Sequence, residues 1–315
     1  MNKREHKIFK KVTLALLMIM CTLFSKGQQD PMYTQYVFNL QTVNPAYVGY
    51  WQTMGITLLS RNQWIGINGH PTTQTFSFQT PLKSQNAGIG FNVILDKIGL
   101  EKRLLINMDY SYKILLSENT SLRFGIKGGF TNYSNNLSEY VQYSGNQSDP
   151  VFQGAVENRF MPNVGVGLFL SNSKYYLSLS LPRIIENSYQ SNVNNFSVQS
   201  ELRHLYFAGG MMFNLSDNVR FKPSFMTKSV LGSPFEYDIS ANFLLAERFW
   251  IGGMYRSGDA VGIIAQWIIN RKLRFGYAYD FTTTDLKNYQ QGVHEVMISF
   301  EFIPAKRSYV SPRYF

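Results

Sequence analysis

Any chemistry in this chain would have to come from four histidines, His6, His70, His204 and His294, one cysteine, Cys21, and the serines and carboxylates around them. The histidines stand far apart and show none of the short spacings of a zinc site, so no metal centre is expected. His294 is followed by Glu295, but the second histidine that a zinc-protease helix requires is missing, and the local alternation is that of a strand. No Gly-x-Ser-x-Gly elbow occurs. Gly125-Ile126-Lys127-Gly128-Gly129 and Gly88-Ile89-Gly90 are glycine-rich, but a phosphate cradle needs a helix after it, and none follows. Glycine in such runs relieves crowding or lets a strand bend. A serine and a histidine could still meet at a rim, but no motif points there. The residues therefore predict a protein that is not an enzyme and holds no cofactor.

The elements that would position these side chains are strands. Composition points the same way: 16% of residues are charged and 15% aromatic, with 20 Tyr and 24 Phe, while mean hydropathy is only −0.17. A soluble domain carries about 25% charge, and helical membrane spans need runs of about 20 apolar residues. The one long apolar run, 12–24, follows Lys3, Arg4, Lys7, Lys10 and Lys11 and precedes Ser25-Lys26-Gly27. That is a secretory leader, residues 1–27, with cleavage expected before Gln28. Cys21 and His6 leave with it. Six of the chain's basic residues and one acidic residue lie in the leader, so the net charge of +10 falls to +5, too mild to imply nucleic acid.

From residue 54 the chain alternates with a period of two. Phe235, Tyr237, Ile239, Ala241 and Phe243 oppose Glu236, Asp238, Ser240 and Asn242; Leu273, Phe275, Tyr277, Tyr279 and Phe281 oppose Arg274, Gly276, Ala278 and Asp280. About fourteen such segments occur. Tight turns near 117–119, 171–173, 216–218, 246–248 and 270–272 alternate with longer connections near 131–160, 183–200 and 282–291. The connections near 230–234 and 256–260 belong to the second set but are short. This rhythm predicts an all-β, transmembrane, antiparallel up-and-down barrel over residues 54–303, with extracellular long loops and, for an even strand number, both termini in the periplasm. Residues 28–53 lack the strand pattern and are expected at the periplasmic end or inside the lumen; 304–315 form a tail.

Charge facing lipid at mid-depth costs roughly 2–4 kcal/mol for Lys or Arg. Arg61, Asp109, Arg123, Lys127, Arg220, Lys222, Lys228, Glu236, Asp238, Arg256, Arg274 and Asp280 are therefore expected inside. The row Arg220, Lys222 and Lys228 could select anions, but Glu236 and Asp238 on the next strand predict cross-strand neutralisation. Trp64, Trp250 and Trp267 are assigned to strand ends or outward rows, as an aromatic girdle needs.

Gln29-Asp30-Pro31-Met32-Tyr33-Thr34-Gln35-Tyr36, Asn39 and Asn44-Pro45-Ala46-Tyr47 with Gly49 closely resemble the opening of the PorP/SprF family of Bacteroidetes. Arg61-Asn62-Gln63-Trp64, Gly69-His70-Pro71-Thr72, the run Arg274 to Asp280 and Gly292-Val293-His294-Glu295 are similar to its later motifs, with Val293 where the family usually has serine. The resemblance implies an outer-membrane protein of the type IX secretion system that binds or anchors secreted cell-surface proteins, gliding adhesins among them. Its partners would be outer-membrane lipid, cargo with C-terminal sorting domains and other type IX components. It carries over Gln35, Tyr36, Asn44, Pro45, Arg61, Gln63, Trp64, Tyr277, Asp280, His294 and Glu295 as structural or partner-binding positions. On the strand phase, Arg61 and Asp280 are expected to form an inward Arg–carboxylate network that holds the N-terminal segment. A passive channel and a soluble β-sandwich adhesin are the competing readings.

Overall fold

A computed structural model describes residues 31–135, 156–190 and 197–303. The expected leader, residues 28–30, the tail 304–315 and the middle of the two longest connections, 136–155 and 191–196, lie outside the described residues.

Among the described residues seventeen strands follow in chain order: β1 Met54–Asn62, β2 Thr72–Pro81, β3 Ala87–Ile98, β4 Glu101–Leu115, β5 Ser121–Asn135, β6 Val156–Ser171, β7 Tyr175–Leu181, β8 Ser188–Gln190, β9 Ser197–Ser200, β10 His204–Met211, β11 Phe213–Ser216, β12 Val219–Val230, β13 Glu236–Leu245, β14 Phe249–Arg256, β15 Ala260–Ile268, β16 Leu273–Thr282 and β17 Val293–Phe302. Every pairing is antiparallel between neighbours, β17 returns to β1 from Met54↔Phe302 to Asn62↔His294, and β10 joins β7 to β12. β10 and β11 are two halves of one stave broken at Met212, and β8–β9 is a separate ribbon. The wall is thus a closed barrel of fourteen staves. Closure satisfies every ladder hydrogen bond without an edge, which is what a lipid environment demands. It also overturns the β-sandwich adhesin. Among the described residues no helix is long and apolar enough to cross a membrane.

The connections sort by end. One end carries 82–86, 116–120, 172–174, 217–218, 246–248 and 269–272, together with the start of β1 and the end of β17. The other carries 63–71, 136–155, 182–203 and 283–292, plus the short 99–100, 231–235 and 257–259. β5 and β6 run on to Asn135 and Val156, so part of what the sequence suggests as loop is wall.

Side chains alternate as a barrel requires. Phe124, Ile126, Ile239, Ile251 and Ile263 are exposed on the outside, and the charged residues expected inside all share the inward phase. Two expectations need correction. Trp250 is no girdle residue: it shares its phase with Arg256 and is buried inward, while its neighbour Phe249 faces out and stacks on Trp267, centroids 6.1 Å apart. The basic row is not neutralised as a row either. Lys228 Nζ reaches Glu236 at 3.1 Å, but Arg220 pairs with Glu247 in a turn, and Asp238 belongs to Arg256 on the following strand.

Candidate functional site

Residues 33–51 are buried throughout, inside the wall. Three short 3₁₀ turns, Tyr36–Phe38, Leu40–Thr42 and Pro45–Tyr47, fold the segment back and forth across the lumen. Such turns leave main-chain donors and acceptors without internal partners, and buried ones must be satisfied. The wall supplies many of them, through inward charged side chains and through Gln79, Ser111 and Ser180.

Near the long-loop end, Glu295 accepts the backbone N–H of Thr34 at 2.9 Å and of Gln35 at 2.8 Å, one on each carboxylate oxygen. Arg61 joins Asp280 at 2.8 Å and Glu295 at 3.0 Å, and its Nη1 also donates to Thr34 Oγ1 at 2.8 Å. That hydroxyl in turn donates to Asp280. Arg61, Asp280 and Glu295 are each about 1% exposed or less, so this is a water-excluded, charge-assisted clasp around two residues of the segment. Beside it, Arg256 is bidentate with Asp238 and donates to Tyr33 O at 3.2 Å.

Further inward cations each take a carbonyl of the segment: Lys222 that of Val37 at 3.1 Å, Lys127 that of Thr42 at 3.5 Å, and Arg123 that of Gly49 at 3.0 Å. Lys222 also lies 5.0 Å from the Phe38 ring and 5.6 Å from Trp250, a cation–π position. Lys222, which read as part of an anion-selecting row in the sequence, is here, like Lys127 and Arg123, a donor to a buried main-chain carbonyl.

Toward the short-turn end the grip changes. Asn44 Oδ1 caps Ala46 N at 2.8 Å ahead of Pro45, and its Nδ2 donates to Ser178 Oγ at 2.7 Å and Leu168 O at 2.9 Å. Tyr47 packs edge-on to Phe169, Tyr50 does the same, and Trp51 Nε1 donates to Tyr47 Oη at 2.9 Å. Burial pushes the Tyr47 phenol up to about 12 despite that bond, so it stays protonated. Phe38 meets Trp250 edge-on at 5.7 Å. Inward glycines give the segment room. A Cβ at Gly125 would overlap the Ala46 backbone, and one at Gly276 would overlap Gln35 Oε1. These glycines are a contact surface as well as points of relief.

The positions singled out in the sequence divide into two sets. Gln35, Tyr36, Asn44, Pro45, Arg61, Asp280 and Glu295 all lie inside the lumen, Gln35 with Arg61, Asp280 and Glu295 at one end and Asn44 and Pro45 toward the other. Gln63 and Trp64 lie in the 63–71 connection, Trp64 with φ +55. Tyr277 and His294 face outward, with Tyr277 Oη 2.7 Å from His294 Nδ1 and Tyr279 edge-on to the same imidazole at 4.9 Å. Glu295 and His294 are therefore chemically adjacent only in sequence; the strand sends them to opposite faces. The connections 63–71 and 283–292 are tied by Ile65 N to Gly292 O at 3.2 Å and Gln291 N to Ile65 O at 2.7 Å. Sequence reasoning placed Arg256 and Lys222 inside but not against the N-terminal segment, and gave Thr34 no role beyond its motif. Their signal was an inward phase opposite a segment rich in Asn, Gln, Thr and Tyr.

The class these features define is an outer-membrane β-barrel whose lumen is occupied by its own N-terminal segment. The profile of the type IX secretion system membrane protein PorP/SprF matches residues 25–300, and the chain belongs to that family. No curated protein matches the sequence. Among solved structures, the chain is similar to the CymD monoaromatic hydrocarbon channel, with 10% identity, TM-score 0.51, and 88% of this chain and 95% of that one covered. It is similar also to the toluene transporter TbuX of Ralstonia pickettii, at 9% identity, TM-score 0.51 and the same coverage. At such identities the likeness is one of fold.

Proposed function

We propose that the barrel is a non-catalytic scaffold that binds or anchors secreted cell-surface proteins at the outer membrane. Family membership carries the reading. The filled lumen supports it: a barrel stiffened by an internal segment suits presentation of loops to a partner better than passage of solute. The cargo would bear C-terminal sorting domains and engage the long-loop end, at the connections 136–155 and 182–203 or the rim, with other type IX components alongside. Gln35, Tyr36, Asn44, Pro45, Arg61, Asp280 and Glu295 then act by holding the scaffold. Gln63, Trp64, Tyr277 and His294 are the family positions placed to meet lipid or a partner. On this reading the leader is removed before Gln28 and the short-turn end lies in the periplasm. Deleting the gene should abolish surface display of a type IX cargo; unchanged display would sink the claim.

A second reading, the passive channel, is favoured by the solved barrels of similar fold whose names are those of a channel and a transporter. It requires the segment 33–51 to leave its site. Planar-bilayer conductance of the purified barrel tests it, with steady open-pore current as the result that would support it.

A further inference from the structure

The outward face of the wall carries charge at one place. Among the described residues of the fourteen staves, Lys97 and Lys102 are the only Lys, Arg, Asp or Glu side chains in the outward phase, and both are exposed. They stand directly opposite one another on β3 and β4, at the long-loop end beside the short 99–100 connection. Like charges so placed repel, and neither lysine has an ion-pair partner among the described residues. The carboxylates nearest in sequence lie in the inward phase: Asp96 accepts from Thr73 at 2.6 Å, and Glu101 pairs with Arg103 at 3.3 Å. A repelling pair at the one charged spot of the outer wall calls for an anion from outside the chain.

Depth and surroundings say which anion. Below Lys102 the outward face of β4 is apolar or aromatic from Leu104 to Ile114. That stretch is about 33 Å along the strand and about 25 Å vertically at a tilt near 40°, the height of the hydrocarbon band. The lysines therefore sit at the level of lipid headgroups. Their row continues through Thr72 and Ser134, and the row beneath it reads Gln74, Leu95, Leu104 and Asn132. Gln74 lies opposite Ser60 and diagonal to Lys97, about 7–8 Å away. Neither Gln74 nor Ser60 has a side-chain hydrogen bond among the described residues, and both line a groove of about 350 Å³ on the outer wall with Leu58, Phe76, Val93 and Ile298. Cations, then hydrogen-bonding groups, then an apolar groove match a phosphorylated acyl lipid read from head to tail.

We propose that Lys97 and Lys102 hold a phosphate of an outer-leaflet glycolipid of the lipid A class. An ester or amide of the same molecule meets Gln74 and Ser60, and one of its acyl chains lies in the groove. The choice of leaflet rests on the orientation proposed above, long loops outward; the site does not depend on cargo binding.

The test uses the full barrel, purified in detergent and stripped of lipid, with binding read by native mass spectrometry. The probes are bisphosphorylated lipid A, its dephosphorylated form, phosphatidylglycerol and inorganic phosphate. Wild type should prefer lipid A to the dephosphorylated form. Joint Lys97→Gln and Lys102→Gln should weaken lipid A binding about thirty-fold, each lysine near a lipid surface contributing about a factor of five. Joint Lys83→Gln and Lys174→Gln, which removes the same charge from exposed positions in the short turns, should leave it unchanged. Undiminished lipid A binding by the Lys97/Lys102 variant, or an equal loss in both double variants, would overturn the proposal. Lysine-dependent binding of inorganic phosphate without lipid A would overturn the lipid assignment. Lysine-dependent preference for phosphatidylglycerol over lipid A would overturn it as well and put the lysines in the inner leaflet. Orientation is read separately. Tyr289→Cys in the 283–292 connection should react with a membrane-impermeant maleimide on intact cells; reaction only after permeabilisation fails the orientation, and the outer leaflet with it, whatever the binding shows. Folding is checked by heat-modifiable migration, and should the double lysine variant not fold, Lys97→Gln alone should weaken lipid A about five-fold, with no change overturning the proposal.

Discussion

At the long-loop end the lumenal segment is held by charge, and at the short-turn end by rings. The clasp of Arg61, Asp280 and Glu295 is joined by two ion pairs and grips Thr34 and Gln35 through five short polar contacts buried from water. The base spreads Phe38, Tyr47, Tyr50 and Trp51 over Phe169, Tyr176 and Trp250 with few polar contacts. The two differ in how they fail. Buried ion pairs contribute little net stability over an apolar replacement, but removing one partner strands the other's charge. Apolar burial is non-directional and loses in proportion to the volume removed. The clasp therefore fixes position sharply, and the base supplies the bulk of the burial.

Arg61→Ala should have the largest effect. It removes the cation that bridges two buried carboxylates in a dry site, a cost of about 3–5 kcal/mol. Thermal unfolding of the detergent-solubilised barrel should show it as a markedly lower midpoint. Arg203→Ala, which removes an exposed pair with Glu186, should change stability by less than about 1 kcal/mol. Equal effects for the two would refute the clasp. Trp250→Ala should follow, at about 3 kcal/mol or somewhat more. It opens a cavity under Phe38 and removes one of the two rings near Lys222. Trp250→Phe should recover most of the loss; if it recovers none, packing is not what the ring provides.

The wall is legible in the sequence because lipid outside and water or protein inside force a period of two, and each hairpin repeats the test. Strand count, turn rhythm and the inward phase of the charges all follow from that. The interior is less legible, because phase says only that a side chain points in, not what it meets. Arg61 with Asp280 can be proposed, since a buried arginine needs a carboxylate. Lys222 reads as part of a basic row, because its actual partner is a main-chain carbonyl on a segment with no regular pattern. Trp250 misleads because residue type suggests a girdle, whereas its spacing from Arg256 already puts it inside. Gly125 and Gly276 share that inward phase, and inward glycines opposite a segment of unknown place are the mark of a close contact.

Asn44→Ala tests the boundary between the two grips. Its side chain caps one turn and spans to β6 and β7, so its loss leaves Ala46 N and Leu168 O short of a partner. The expected cost is about 1–3 kcal/mol, less than at either end, read from the same thermal midpoints. Asn44→Asp should keep the cap to Ala46 and lose the two donations, giving an intermediate value.

The smallest expected quantity is the coupling between the grips. Arg61 and Trp250 share no bonded partner: the first acts on Thr34, the second on Phe38 and Lys222. Sites without shared partners add to within about 0.5 kcal/mol, so the double variant Arg61→Ala with Trp250→Ala should lose the sum of the two single losses within that margin. The measurement needs denaturant unfolding of all four proteins in one detergent. Additivity would mean that the segment can come loose at its clasp while the base stays docked, leaving the lower lumen closed. A coupling well above 1 kcal/mol would mean that residues 33–51 dock and undock as one body. In that case breaking the clasp alone would be enough to open the lumen, and the Arg61→Ala barrel should conduct.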